Sequence, residues 1–117
     1  MKEYLFLFRG GDDNFQEQQS PEKWQAQMQK WMQWMGGLQQ KGVLVGAQPL
    51  ARSGKQVTGI KKVVTDGPFV EGKEAVGGYM TCKASSYEEA VEIAKGCPIL
   101  DFDGGRVEVR ETQQMSM

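Results

Sequence analysis

Apolar positions recur along this chain in two rhythms, and the switches between them mark out the elements. Lys2 to Arg9 carries Tyr4-Leu5-Phe6-Leu7-Phe8, a continuous run of β-favouring residues that predicts a strand covered on both faces. Gly10-Gly11-Asp12-Asp13-Asn14 breaks it as a loop. The rhythm then changes. Trp24, Met28, Trp31, Met32, Met35 and Leu38 follow at offsets of 4, 3, 1, 3 and 3, one apolar face of a helix, with Gln25, Gln27, Lys30, Gln33 and Gln40 mostly opposite and wet. Ser20-Pro21-Glu22 supplies the start: a capping hydroxyl, a proline whose missing N–H costs nothing there, and an acid at the positive dipole end. Gly36-Gly37 weakens the helix by about 1 kcal/mol per glycine. The pattern nevertheless runs on to Leu38, so the helix is predicted to end at Lys41 with Gly42 as its C-terminal cap.

After this helix the chain returns to strand patterning. Val43 to Ala47 reads as the second strand, Arg52-Ser53-Gly54-Lys55 as a turn, and Val57 to Thr65 as a third strand. A loop from Asp66 to Glu74 leads to a fourth strand over Gly77 to Lys83. A second helix opens at Ser85-Ser86-Tyr87-Glu88-Glu89, where Ser85 with Glu88, or Ser86 with Glu89, forms a capping box. Ala90, Val91 and Ala94 form its inner stripe, and Gly96-Cys97-Pro98 ends it. Asp103-Gly104-Gly105 then turns into a last, alternating strand, Arg106 to Arg110. Residues 1–112 are read as one domain and 113–117 as a disordered tail.

The order β-α-β-β-β-α-β predicts an α+β, ferredoxin-like sandwich with a mostly antiparallel sheet, helices on one face and one added hairpin strand. Two helices cover one face only, yet the first two strands are apolar on both. The remaining apolar face predicts a homodimer in which two sheets pack against each other, the alternative being that the C-terminal tail or the loops cover it.

Composition narrows the function classes. The 117 residues are sufficient for one core. The 14 basic residues balance 15 acidic ones, and the densest basic cluster (Arg52, Lys55, Lys61, Lys62) has no interleaved aromatics, which argues against a nucleic-acid partner. No stretch approaches the ~20 apolar residues of a membrane helix or the make-up of a signal peptide, so no membrane partner and a cytoplasmic location are expected. There is no histidine, which removes the commonest general base and metal ligand. Cys82 and Cys97 lie too far apart in sequence for a metal-type pair, and neither a metal nor a cofactor is predicted.

Val64-Thr65-Asp66-Gly67-Pro68-Phe69-Val70-Glu71-Gly72-Lys73-Glu74, followed by Gly77-Gly78-Tyr79, closely resembles the signature of the DGPF domain, a branch of the YCII-related family. The likeness extends to the Met1-to-Phe8 strand, Lys41 to Gly46, and Gly104 to Arg110. The resemblance implies a dimeric α/β barrel. Enzymatic activity has been suspected in the wider group from a His-Asp pair in a cleft, and some DGPF proteins are encoded beside alternative sigma factors. The histidine half of such a pair has no counterpart in this sequence; Asp66 would be the carboxylate half.

Candidate site residues follow from the glycine-bounded loop and its neighbours. Asp66 before Gly67-Pro68 either locks a turn through backbone N–H groups or presents its carboxylate, with the Phe69 ring, into a cleft. Glu71, Lys73 and Glu74 sit close by, and carboxylate pairs divide acid and base roles when burial separates their pKa values; solvated loop charges do not. Tyr79 is either a half-buried core tyrosine or a ligand-binding hydroxyl. Arg9 and Arg106 at strand ends bind anions, pair with Asp66, or stay as surface charges. The tryptophans and methionines of the first helix are assigned to the core. The leading reading is a dimer that binds a small ligand through Arg9, Asp66, Gly67, Phe69, Lys73 and Tyr79. The alternatives are a cofactor-independent enzyme with Asp66 or Glu74 as general base, and a module for a protein partner.

Overall fold

The computed structural model describes residues 1–10, 20–51, 53–66 and 76–114. The elements run β1 (Lys2–Arg9), α1 (Pro21–Gln40), β2 (Leu44–Pro49), β3 (Gln56–Thr58), β4 (Val63–Thr65), β5 (Val76–Ala84), α2 (Tyr87–Ala94), a 3₁₀ turn (Pro98–Asp101) and β6 (Arg106–Glu111). Four strands form one antiparallel sheet in the order β2-β5-β1-β6, so β5 inserts between the two strands that α1 connects, the split β-α-β arrangement. The sheet is open, with β2 and β6 as its edges.

The expected third strand is two. Gly59 (φ 74°) and Lys62 (φ 56°) turn the chain, Lys62 N–H donates to Gly59 C=O at 3.0 Å, and β3 and β4 pair as a separate ribbon instead of adding to the main sheet. The β-branched run around Gly59-Ile60-Lys61-Lys62 hid the turn, because only one turn residue interrupts it.

Helix α1 starts as its sequence dictates, with the Ser20 hydroxyl accepting from Lys23 N–H at 3.3 Å and Pro21 in the first turn. It stops in a Schellman motif: Gly42, at φ 74°, donates to Gln39 C=O and Val43 donates to Leu38 C=O. Its inner face is rotated from the expected one. Met32 is exposed, while Gln27 and Leu38 are buried and Trp31 and Trp34 pack on the core. The positions 24, 27, 28, 31, 34, 35 and 38 keep the helical period better than a stripe forced through Met32. Gln27 is not solvated because its side-chain amide donates to Pro98 C=O at 3.2 Å, an acceptor supplied by the unforeseen 3₁₀ turn.

In α2 the Ser86 hydroxyl caps Glu89 N–H, and Ser85 donates instead to the Glu89 carboxylate at 2.6 Å. Ala90 and Ala94 face inward as expected, but Val91 is exposed and Ile93 takes the packing position. Tyr87 ties this helix to the last strand, its hydroxyl accepting from Glu111 N–H at 2.8 Å and its ring meeting Tyr4 edge-on.

The core lies between the helices and one sheet face. Tyr4, Phe6, Phe8, Met80, Cys82 and Ala84 point into it and are shut off from water. Phe8, Trp31 and Trp34 form an edge-to-face cluster, and the Trp34 indole donates to Ile93 C=O at 3.2 Å, joining α1 to α2. Trp31 and Trp34 thus pack on the core as expected, whereas Trp24 is only half-buried.

Candidate functional site

Because successive strand residues alternate in direction, every second residue of β1 points away from the helices. The register places Gln48, Tyr79, Leu7 and Glu108 in one row across β2, β5, β1 and β6. The next row is Gly46, Thr81, Leu5 and Arg110, and Arg9 stands beside Arg106 at the sheet's end. Leu5, Leu7, Tyr79 and Thr81 are each half-buried there, although neither helix covers them.

A charged network borders this apolar strip. Arg9 Nε donates to Glu108 Oε1 at 3.1 Å, and Arg110 Nη1 lies 3.8 Å from Glu108 Oε2, so one carboxylate spans two guanidinium groups. Arg9, Arg106 and Arg110 thus stand together on this border around Glu108.

Two of the sequence-nominated residues, Arg9 and Tyr79, therefore share this open face. Asp66 does not join them. It sits at the end of the exposed ribbon, forming a salt bridge with Lys55 while its side chain stays 85% exposed. Gly67, Phe69, Lys73 and Glu74, with Pro68 and Glu71, lie outside the described residues, as do Arg52 and 115–117. Arg106 is exposed at the start of β6. Glu108 and Arg110 were missed as site residues, and their signal was present: in Arg106-Val107-Glu108-Val109-Arg110 every charged residue falls on the same strand face.

Both thiols are free and buried. Burial pushes Cys97 up to about 12, with the Asp101 carboxylate adding to the effect, and burial likewise raises Cys82. Among the described residues no group of three or more Cys, Asp or Glu side chains is arranged to hold a metal ion, and no helix is long and apolar enough to cross a membrane. Two open depressions lie elsewhere: one of about 450 Å³ beside Glu3 and Thr112, the other of about 500 Å³ between Lys30, Trp34, Lys95 and Asp101. Neither includes Arg9, Asp66 or Tyr79.

The model of the YCII-related domain matches residues 4–116. The chain belongs to the YCII-related family. None of the curated proteins matches it. Among solved structures, this YCII-related protein is similar to 5-chloro-2-hydroxyhydroquinone dehydrochlorinase from Burkholderia phenoliruptrix AC1100, in complex with 2,5-dihydroxybenzoquinone. Identity is 15%, the TM-score is 0.47, and the match covers 91% of this chain and 90% of that one.

Proposed function

We propose that this YCII-related protein is a homodimer that binds a small anionic molecule between the open faces of two sheets. The observation that carries the reading is the row Tyr79–Leu7–Glu108, with Arg9 beside it, on the one sheet face the helices leave uncovered. Facing sheets would enclose the apolar strip, as in a dimeric α/β barrel, and exclude water from the arginine border. A charge-assisted hydrogen bond from Arg9 to a ligand carboxylate or phosphate gains strength under that cover. Tyr79 would supply a ring face and a hydroxyl to the same ligand. Binding is preferred to catalysis by Asp66, because general-base chemistry on a small substrate calls for a sheltered carboxylate and Asp66 is exposed.

The test has two arms. Sedimentation at low micromolar concentration should give twice the chain mass. A thermal-shift screen of small carboxylates and phosphates should find a ligand that, at about 100 times its dissociation constant, adds about 2.7 kcal/mol and raises the midpoint by roughly 10 °C. That shift should vanish in Arg9→Ala and Tyr79→Ala. A monomer, or a ligand indifferent to both substitutions, would refute the reading.

A further inference from the structure

The β3–β4 ribbon has no place in the site just described, yet among the described residues it holds a markedly exposed apolar surface. Val57 pairs with Val64 and Thr58 with Val63, while Ile60 sits at the turn. Ile60 is 99% exposed, and Val57, Val64 and Val63 stand at 64%, 63% and 52%. Turn tips are ordinarily polar, and an isolated two-stranded hairpin is marginal in water. Four aliphatic side chains spread over the ribbon and its tip need a surface to lie against.

We propose that this ribbon is an arm that docks on a second copy of the chain, with its Ile60-Lys61-Lys62 tip against the outward face of the partner's α2. This rests on the homodimer reading. Two observations select the occupant. The first is cover. The ribbon stands apart from the main sheet, so pairing of the open faces alone adds no cover to the exposed surface of Val57, Ile60, Val63 and Val64. The second is complementarity within the chain itself. The tip combines Ile60 with two exposed lysines, while α2 presents Glu88 and Glu92 around Tyr87 and Val91, which are 45% and 41% exposed; Glu92 also pairs with Lys95, and Glu89 accepts from Ser85. Glu88, Val91 and Glu92 lie three and four residues apart, on one helix face. A two-fold axis makes this arm-to-helix contact twice and closes the assembly. A lipid surface fits less well, because it would take the tip and leave the Val57–Val64 pair along the ribbon in water.

The probe is Ile60→Cys, informative because both native thiols are buried. Maleimide should label the new thiol at least tenfold more slowly in the dimer than after dilution to monomer. Lys61→Glu/Lys62→Glu should weaken dimerisation at least tenfold, as should Glu88→Lys/Glu92→Lys, and the two sets combined should recover most of the loss. Circular dichroism of each variant confirms that it is folded. Labelling that ignores protein concentration, or charge reversals whose losses simply add, would overturn the arm. So would protection that appears only with anionic phosphatidylserine vesicles. A wild-type dimer unaffected by these changes removes the arm and leaves the open-face dimer standing; a wild-type monomer at every concentration removes both.

Discussion

On the helix side of the sheet, Tyr4, Phe6, Phe8, Met80 and Cys82 are closed off from water; one residue along each strand, Leu5, Leu7, Tyr79 and Thr81 stand half-buried on the other side. The two sets alternate on the same two strands and share the same backbone hydrogen bonds. What separates them is cover alone. One face has become a core because α1 and α2 lie on it, and the other keeps core-like residues that no helix among the described residues covers. A sheet face that stays apolar at its centre and charged at its border has the composition of a protein interface.

The sharpest way to break this contrast is to truncate one residue from each face. Phe6→Ala, at a fully buried position, should cost about 3–5 kcal/mol in urea unfolding, the transfer loss plus the unfilled cavity. Leu7→Ala, beside it, should cost about 1 kcal/mol at nanomolar concentration, in line with partial burial. At tens of micromolar the Leu7→Ala loss should grow, since dimer formation adds stability by mass action. Equal losses on both faces at every concentration would mean that the open face is covered within a single chain.

Much of this contrast was legible in the sequence. Tyr4-Leu5-Phe6-Leu7-Phe8 announced a strand apolar on both sides, Ser20-Pro21 and Gly42 bounded the first helix, and Ser85-Ser86 placed the start of the second to within one residue. Those features are local, so short-range chemistry decides them. Gln27 and Met32 were misread because their environments are not local: the acceptor for Gln27 comes from Pro98, far along the chain. The ribbon turn at Gly59 was hidden by its aliphatic neighbours. Of the site, Arg9 and Tyr79 were nominated from strand ends and glycines. Glu108 was not: the same-face charges of Arg106 to Arg110 were visible, but the register that sets β6 beside β1 and Arg9 was not.

A smaller effect probes the helix-side core through pH. An unfolded cysteine titrates near 8.5, whereas Cys97 in the folded chain is pushed up to about 12 by burial. Above about pH 9 the unfolded state has lost this proton and the folded state keeps it. The thiol's contribution to stability is therefore complete below about pH 8.5 and is lost as pH rises towards 12. The unfolding free energy from urea titrations should fall with a slope of up to about 1.4 kcal/mol per pH unit over that window. Cys97→Ala should flatten the slope, leaving the part due to Cys82 and Tyr4, whose burial raises them in the same direction. A Cys97→Ala protein with the wild-type slope would mean that the thiol reaches water.

The smallest expected effect belongs to the open face, and it tests cover most directly. Arg9 and Glu108 form their 3.1 Å contact with side chains 27% and 39% exposed. A pair so placed is screened by solvent, and a double-mutant cycle with Arg9→Ala and Glu108→Ala should give a coupling of about 0.2–1 kcal/mol in the dilute protein, shrinking with added salt. Enclosure between two sheets changes the physics. Water leaves, the local dielectric falls, and the same contact should strengthen and lose much of its salt sensitivity. Repeating the cycle above the dimerisation midpoint therefore reports on cover without requiring knowledge of the ligand. A coupling that stays small and salt-sensitive in the dimer would place the Arg9–Glu108 border at the rim of the interface, still wet, and would move the anion site away from the space between the sheets.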